Sequence, residues 1–176
     1  MTTIVLLAGG KSTRMGQDKS MMNGGVNRIF SICDSIGNHR IITLCGNRSR
    51  ISLFKGEVLP DPDELKGSFE IIKWLLSFIE DDILMIPCDA FNLQKEGIMY
   101  LLGISNGIPL DENHRRQPLL ARITDRDLLE FKASNINEFL INLPSIVAPE
   151  VSKQYVNFNT EGDLKNYQTI GDFKTQ

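Results

Sequence analysis

Several features that would settle a function class at once are missing or scarce. No apolar run approaches the roughly 20 residues of a membrane-spanning helix. The start, MTTIVLLAGG, has no charged opening and only a short apolar run before two glycines. It reads as a first strand and not as a secretory leader. Three cysteines, Cys33, Cys45 and Cys88, show no CxxC spacing, and only two histidines accompany them. That argues against a zinc site and fits buried, reduced thiols in a cytoplasmic protein. A formal net charge of −3 disfavours non-specific nucleic-acid binding. No repeat, linker or low-complexity tract divides the 176 residues, so residues 1–176 read as one domain.

What is present is an ordinary globular composition, 41% hydrophobic and 23% charged, which argues against disorder and against a coiled coil. Residues 3–8 (TIVLLA), 40–45 (RIITLC) and 83–86 (ILMI) are short apolar runs of buried-strand type, with a shorter strand at Val58-Leu59. Between them, Ile29, Ile32, Cys33 and Ile36 share one helical face over 27–36. Residues 68–80 form the next helical pattern, with Ser68 as N-cap and Phe69, Ile72, Leu75, Leu76 and Ile79 inward. Residues 94–103 follow as a helix. Beyond them, 108–110 and 118–123 read as strands flanking the polar turn DENHRR. Residues 125–132 and 135–142 read as short helices, Val147 and 154–158 as extended pieces, and Thr160 as the cap of a last helix with Asp163 at its third position.

Strand–helix alternation over the first hundred residues predicts right-handed βαβ units. The expected fold is α/β, with an open, mainly parallel sheet and helices on both faces. In such sheets ligands bind beyond the carboxyl ends of the strands. That directs attention to 9–19, 46–48, 60–63 and 87–89.

The first of these lies in VLLAGGKSTRMGQDKSMM, which has a long polar loop, two adjacent glycines and the cations Lys11, Arg14 and Lys19. It is not a P-loop. That pattern needs a glycine five residues before Gly10, where Val5 stands. Nor is it a dinucleotide fingerprint, because the glycines are adjacent and Gly16 is too far on. Adjacent glycines let the backbone approach a ligand, and N–H groups at a strand exit make an anion nest. Arg14 offers a bidentate fork for phosphate and Lys19 a point charge. A solvated glycine loop with scattered charge is the alternative on spacing alone.

The stretch LAGGKSTRMGQDKSMM resembles the signature L-A-G-G-x-S-x-R-M-G-x-D-K of a nucleotidyltransferase superfamily, and within it the molybdenum cofactor guanylyltransferases. The segments CGNR, LPDPDELKG, MIPCDAFNL, RRQPLLA and YVNFNTEGDL follow in the order that family shows, from Ile4 to about Leu164. The resemblance implies a Rossmann-like fold of the nucleotide-diphospho-sugar transferase type. It implies transfer of GMP from GTP to the terminal phosphate of molybdopterin or its molybdenum form, with Mg2+ and release of pyrophosphate. Partners would be GTP, molybdopterin, and proteins of cofactor synthesis or molybdoenzyme assembly, with no nucleic acid and no membrane.

That chemistry needs cations more than a base. The attacking phosphate is already ionised, so no Ser–His or Cys–His pair is required. In-line displacement wants a metal at the α-phosphate and cations on the departing pyrophosphate. The resemblance assigns the metal to Asp89, just past ILMI and Pro87, and Mg2+ is satisfied by one or two carboxylates plus phosphate and water. It assigns the triphosphate to Arg14 and Lys19 with the backbone of Leu7, Ala8, Gly9 and Gly10. Asp18 would orient Lys19. Asn47 and Asp61 fall near the nucleotide, and Asp61 suits the N–H donors of guanine. A turn or cap role is the other reading of Asn47. Gln117, Asn157 and Asn159 line the acceptor side and active site, the two asparagines on one face of a strand near the phosphates or metal; a solvated edge strand is the other reading of that pair. Arg115 and Arg116 read either as receivers of the pterin phosphate or as an exposed hairpin turn.

The chain departs from the family at Gly67-Ser68-Phe69, where Gly-Pro-Leu is usual, and at GGVNRIF, where Gly-Lys-Pro-Leu is usual. Two alternatives therefore stand beside guanylyl transfer. One is another nucleotidyl transfer, of CMP to molybdopterin or to a sugar or polyol phosphate. The other is a nucleotide-binding assembly partner without turnover.

Overall fold

Residues 1–9 and 18–158 are described by a computed structural model, with the backbone alone at Lys19 and Asn23. The first strand, β1 (Thr2–Leu7), becomes the middle of a sheet. β2 (Arg40–Leu44) pairs with it in parallel on one side, and β4 (Asp82–Pro87) on the other. β3 (Glu57–Leu59) extends the β2 side in parallel, and β6 (Arg122–Ile123) closes the β4 side in antiparallel, giving the order β3-β2-β1-β4-β6. β5 (Ile108–Pro109) and β7 (Ser145–Ile146) make a separate two-stranded parallel pair.

Side-chain alternation along β1 explains why both faces are covered. Ile4, Leu6 and Ala8 enter one core with α1 (Gly25–Ile36) and α3 (Lys95–Gly103). Val5 and Leu7 enter the other with Ile72, Leu75 and Leu76 of α2 (Ser68–Leu76) and with Phe139 of α4 (Ile136–Phe139). A strand buried on both faces must be continuously apolar, and TIVLLA is. The open α/β arrangement predicted from the strand–helix alternation is the one observed. Cys33 and Cys45 are buried thiols, and burial pushes that of Cys33 up to about 12.

The second half departs from the expected elements. Residues 118–120 form a 3-10 turn closed by Leu120 N–H on Gln117 O at 2.9 Å, with only 122–123 in a strand. Pro118 opens that turn; it has no N–H to give a ladder. The helix expected over 125–132 is one 3-10 turn, Arg126–Leu128, capped by Asp125. The guanidinium of Arg126 leaves it to take the carbonyls of Leu76, Ile79 and Asp81, ending α2 at Leu76 and not at residue 80. α4 is only 136–139, and Asn135 caps it by accepting from Glu138 N–H at 3.0 Å. Ser68 is the first residue of α2 and Gly67 its cap. Residues 19–24, expected as loop, form a 3-10 turn, and so do 152–155, partly expected as extended. Asn157 is therefore not on a strand. Thr160 and Asp163 lie outside the described residues.

At the amino-terminal end of β4, Arg122 is buried. Its Nη2 donates to Thr2 Oγ1 at 3.0 Å and Asp82 Oδ2 at 3.1 Å, while Nε and Nη1 are buried with no partner among the described residues.

Candidate functional site

A cavity of about 670 Å³ opens beyond the carboxyl ends of β1, β2 and β3. Its wall includes Leu7, Gly9, Gly46, Asn47, Arg50 and Asp61, and its far side is formed by Pro62, Asp63, 65–68 and Ile71. Parallel strands bring these together because each chain segment leaves the sheet at the same edge. Gly9 and Gly46 are in close contact. A Cβ at Gly9 would stand 3.1 Å from Gly46 N and Cα and 2.6 Å from Asp61 Oδ2. Gly46 has φ +77°, a conformation that favours glycine.

Asp61 is held by its own N–H, which donates to Gly46 O at 2.8 Å. Its Oδ1 is buried and has no partner among the described residues. Burial raises its carboxyl above the usual aspartate value, against the opposing pull of the Gly46 backbone and the Arg50 charge. A half-buried acceptor of this kind calls for N–H or O–H donors.

Arg50 is the residue that sequence reasoning missed. Nη1 donates to Ala8 O at 2.8 Å and Cys45 O at 2.7 Å, the carbonyls just past β1 and β2. Nη2 donates to Asp18 Oδ2 at 2.6 Å and Ser20 Oγ at 2.7 Å. The guanidinium also lies 5.4 Å from the Phe54 ring centroid. Asp18 caps the 3-10 turn through Ser20 N–H at 3.0 Å. Burial would raise its carboxyl, but Ser20 and Arg50 together hold it below the usual value. The partner found for Asp18 is thus Arg50; only the backbone of Lys19 is described. The available signal was a basic residue in the first turn of the element that follows a strand exit, in a fold that binds ligands there.

The other predicted positions separate into groups. Leu7, Gly9, Asn47 and Asp61 meet at the cavity. Ala8 is buried, with its N–H on Leu44 O at 2.9 Å and its carbonyl on Arg50. Asn47 caps the 3-10 turn 48–53 by accepting from Ser49 N–H at 2.9 Å, so it takes the turn role and also lines the wall. Asp89 follows β4 in a turn, and Cys88 N–H donates to Leu7 O at 3.1 Å. The strand order puts the Asp89 and Asp61 segments on opposite sides of the β1 exit. Gln117 and Asn157 join in a separate polar chain with Asp111. Residues 112–115 are an exposed turn, and Arg116 spends Nη2 on the carbonyls of Leu140 and Leu143. Gly10, Arg14 and Asn159 lie outside the described residues.

The model of the MobA-like NTP transferase domain matches residues 4–139. The chain belongs to that family. It is thus a nucleotidyltransferase, and its cavity lies beyond the strand exits, where open α/β sheets bind ligands. Solved structures share the fold. A protein of Aquifex aeolicus VF5 superposes with a TM-score of 0.71 at 21% identity, covering 90% of this chain and 94% of the other. Molybdopterin-guanine dinucleotide biosynthesis protein A of Archaeoglobus fulgidus gives 0.65 at 19% identity, over 97% and 98%. The 4-diphosphocytidyl-2C-methyl-D-erythritol synthase of Anaerococcus prevotii gives 0.54 at 8% identity, over 94% and 95%. At these identities the likeness is one of fold. No curated protein matches. No helix among the described residues is long and apolar enough to cross a membrane.

Proposed function

We propose that this MobA-like nucleotidyltransferase transfers GMP from GTP to the terminal phosphate of molybdopterin or its molybdenum form, releasing pyrophosphate and forming the guanine dinucleotide cofactor. The observation that carries the choice of base is the buried, unsatisfied Oδ1 of Asp61 in the wall of the cavity. Guanine presents two adjacent donors, N1–H and N2–H₂, to one carboxylate. Cytosine presents one donor and two acceptors on the corresponding edge, and would set an oxygen or a ring nitrogen against Asp61.

Gly9 and Gly10 then offer backbone N–H groups to the triphosphate, with Arg14 and Lys19 as its cations. Leu7 and Ala8 fix the start of that loop, and Asn47 stands at the nucleoside. Gln117, Asn157 and Asn159 serve the acceptor side. Asp89 offers the hard carboxylate oxygen that magnesium takes, and Mg2+ needs only one or two carboxylates with phosphate and water. Asp89 would hold it, and when bound it would neutralise charge at the α-phosphate. The attacking phosphate needs no base from the protein, so the task of the side chains is to bring two anions into line. Buried thiols fit a reducing, cytoplasmic setting.

The test is pyrophosphate release with GTP, CTP, ATP and UTP, with Mg2+ and molybdopterin, for the wild type and Asp89→Ala. GTP preference with a silent Asp89→Ala is expected. CTP preference would overturn the guanylyl assignment, and an active Asp89→Ala would overturn the metal assignment. Tight GTP binding without turnover on any acceptor would make the chain a nucleotide-binding assembly partner.

A further inference from the structure

We infer that Asp111 is a positioning residue that fixes the direction of the Asn157 amide, so that the group offered at the β4 exit is always an oxygen. An ionised carboxylate only accepts hydrogen bonds. Asp111, buried, accepts from Asn113 N–H at 2.8 Å and Arg115 N–H at 3.0 Å on Oδ1, and from Gln117 Nε2 at 2.9 Å on Oδ2. The amide of Gln117 therefore has one permitted orientation, NH₂ towards Asp111 and oxygen away. That oxygen accepts from Asn157 Nδ2 at 2.8 Å. Asn157 is orientated in turn, and its Oδ1 faces away from Gln117, buried and with no partner among the described residues.

This relay of amides ends beside the exit of β4. Met85 N–H donates to Ala121 O at 3.0 Å, so the 3-10 turn at 118–120 and Gln117 before it lie towards the carboxyl end of β4. Phe158, next to Asn157, stacks on Phe91 with centroids 5.8 Å apart and planes 22° apart. Phe91 is two residues beyond Asp89. A carbonyl oxygen repels phosphate oxygens. What it takes is electron-poor: a divalent cation or its coordinated water, or an N–H of the acceptor molecule. This use of the oxygen rests on the site reading of the previous section; the orientation itself does not.

The test exploits a reversal. In Asp111→Asn the new residue can keep its oxygen on the turn N–H groups and present its NH₂ to Gln117. Gln117 then flips, Asn157 flips, and no bond is lost, but the group at the exit becomes a donor. In the ligand-free protein, NMR should show Asn157 side-chain amide protons that exchange slowly in the wild type and fast in Asp111→Asn, with unchanged unfolding midpoints. Calorimetric titration with Mg2+–GTP, and the KM for molybdopterin, separate the two ligand sources. Whichever uses the oxygen should weaken about 10–100-fold, as for other residues that orient a ligand. The double variant Asp111→Asn/Asn157→Asp should recover it, because the introduced carboxylate accepts from the flipped Gln117 and again shows an oxygen. A merely structural Asp111 predicts a double variant worse than the single. Unchanged Asn157 exchange in Asp111→Asn overturns the orientation. Reversed exchange with both affinities unchanged overturns its use. A wild type with slow Asn157 protons and no GTP binding supports the orientation and overturns the nucleotide reading instead.

Discussion

Arg50 and Asp18 form an ion pair, Nη2 to Oδ2 at 2.6 Å, while the other arm of the same guanidinium holds the carbonyls of Ala8 and Cys45. One side chain thereby ties the ends of β1 and β2 to the turn that closes the long amino-terminal loop. The two arms are not of equal weight. The Asp18 side chain is 38% exposed, so that pair is screened and worth little. The carbonyl arm donates to two backbone oxygens at the strand exits and holds the wall of the cavity.

Arg50→Ala should therefore damage far more than Asp18→Asn. Hydrogen bonds from a charged donor contribute about 1.5–3 kcal/mol, so Arg50→Ala should lower the melting temperature by on the order of 5 °C and raise the KM for GTP roughly tenfold or more. Arg50→Lys should recover little, since one ammonium cannot span both arms. Asp18→Asn should cost under about 1 kcal/mol. Thermal melts and GTP kinetics on the three variants check the order.

Gly9→Ala tests the close approach of the strand exits. Its Cβ would meet Gly46 backbone at 3.1 Å and Asp61 Oδ2 at 2.6 Å. Overpacking of this sort costs about 1–3 kcal/mol. The Asp61 carboxylate must move, so GTP binding should fall by about tenfold or more while the fold survives. Calorimetry with GTP, alongside a melt, measures both.

Asp61 also predicts a pH effect. Its carboxyl is raised by burial, so the folded chain holds that proton to a higher pH than the unfolded chain does. Stability from this group therefore falls as pH rises through the window between the ordinary and the raised value, and stays lower above it. Asp61→Asn should melt at or above the wild type near neutral pH, with the difference shrinking as pH falls through that window. Under the proposed guanine reading, the same variant should lose discrimination between GTP and CTP. A melt series against pH, paired with nucleotide titration, tests the trade.

Arg122 sits at the opposite edge of the sheet with two nitrogens that have no partner among the described residues. Replacing a poorly satisfied buried ion by an apolar group of similar size is often neutral or stabilising. Arg122→Met should match or exceed the wild type by about 1 kcal/mol. Asp82→Ala, which strands the guanidinium, should destabilise by about 1–2 kcal/mol, less than for a fully buried pair because Asp82 is 40% exposed. Denaturant midpoints for both variants give the answer.

The first half of the fold was legible because burial on both faces demands continuous apolar strands, and TIVLLA, RIITLC and ILMI stand out at once. The strand-exit rule then led to the segments 9–19, 46–48 and 60–63, and the family resemblance to Gly9, Asn47 and Asp61 within them. The second half was not legible for a local reason. Pro118 denies a ladder hydrogen bond where PLLARI reads as one strand, and Asp125 and Asn135 cap turns too short to show helical periodicity. Arg50 escaped because two of its partners are backbone carbonyls and the other two, Asp18 and Ser20, lie some thirty residues away in sequence. The Asp111–Gln117–Asn157 chain escaped because its members are far apart in sequence and joined only by the folded chain.

The central place of β1 has a consequence for synthesis. It leaves the ribosome before either of its two neighbours, residues 40–44 and 82–87. Until the second of these emerges, a nascent chain carries an apolar strand with an open edge, the kind of surface that seeks the wrong partner. Such non-local parallel pairing also folds slowly. A chain halted between residues 44 and 82 should therefore be the most aggregation-prone intermediate of its own translation.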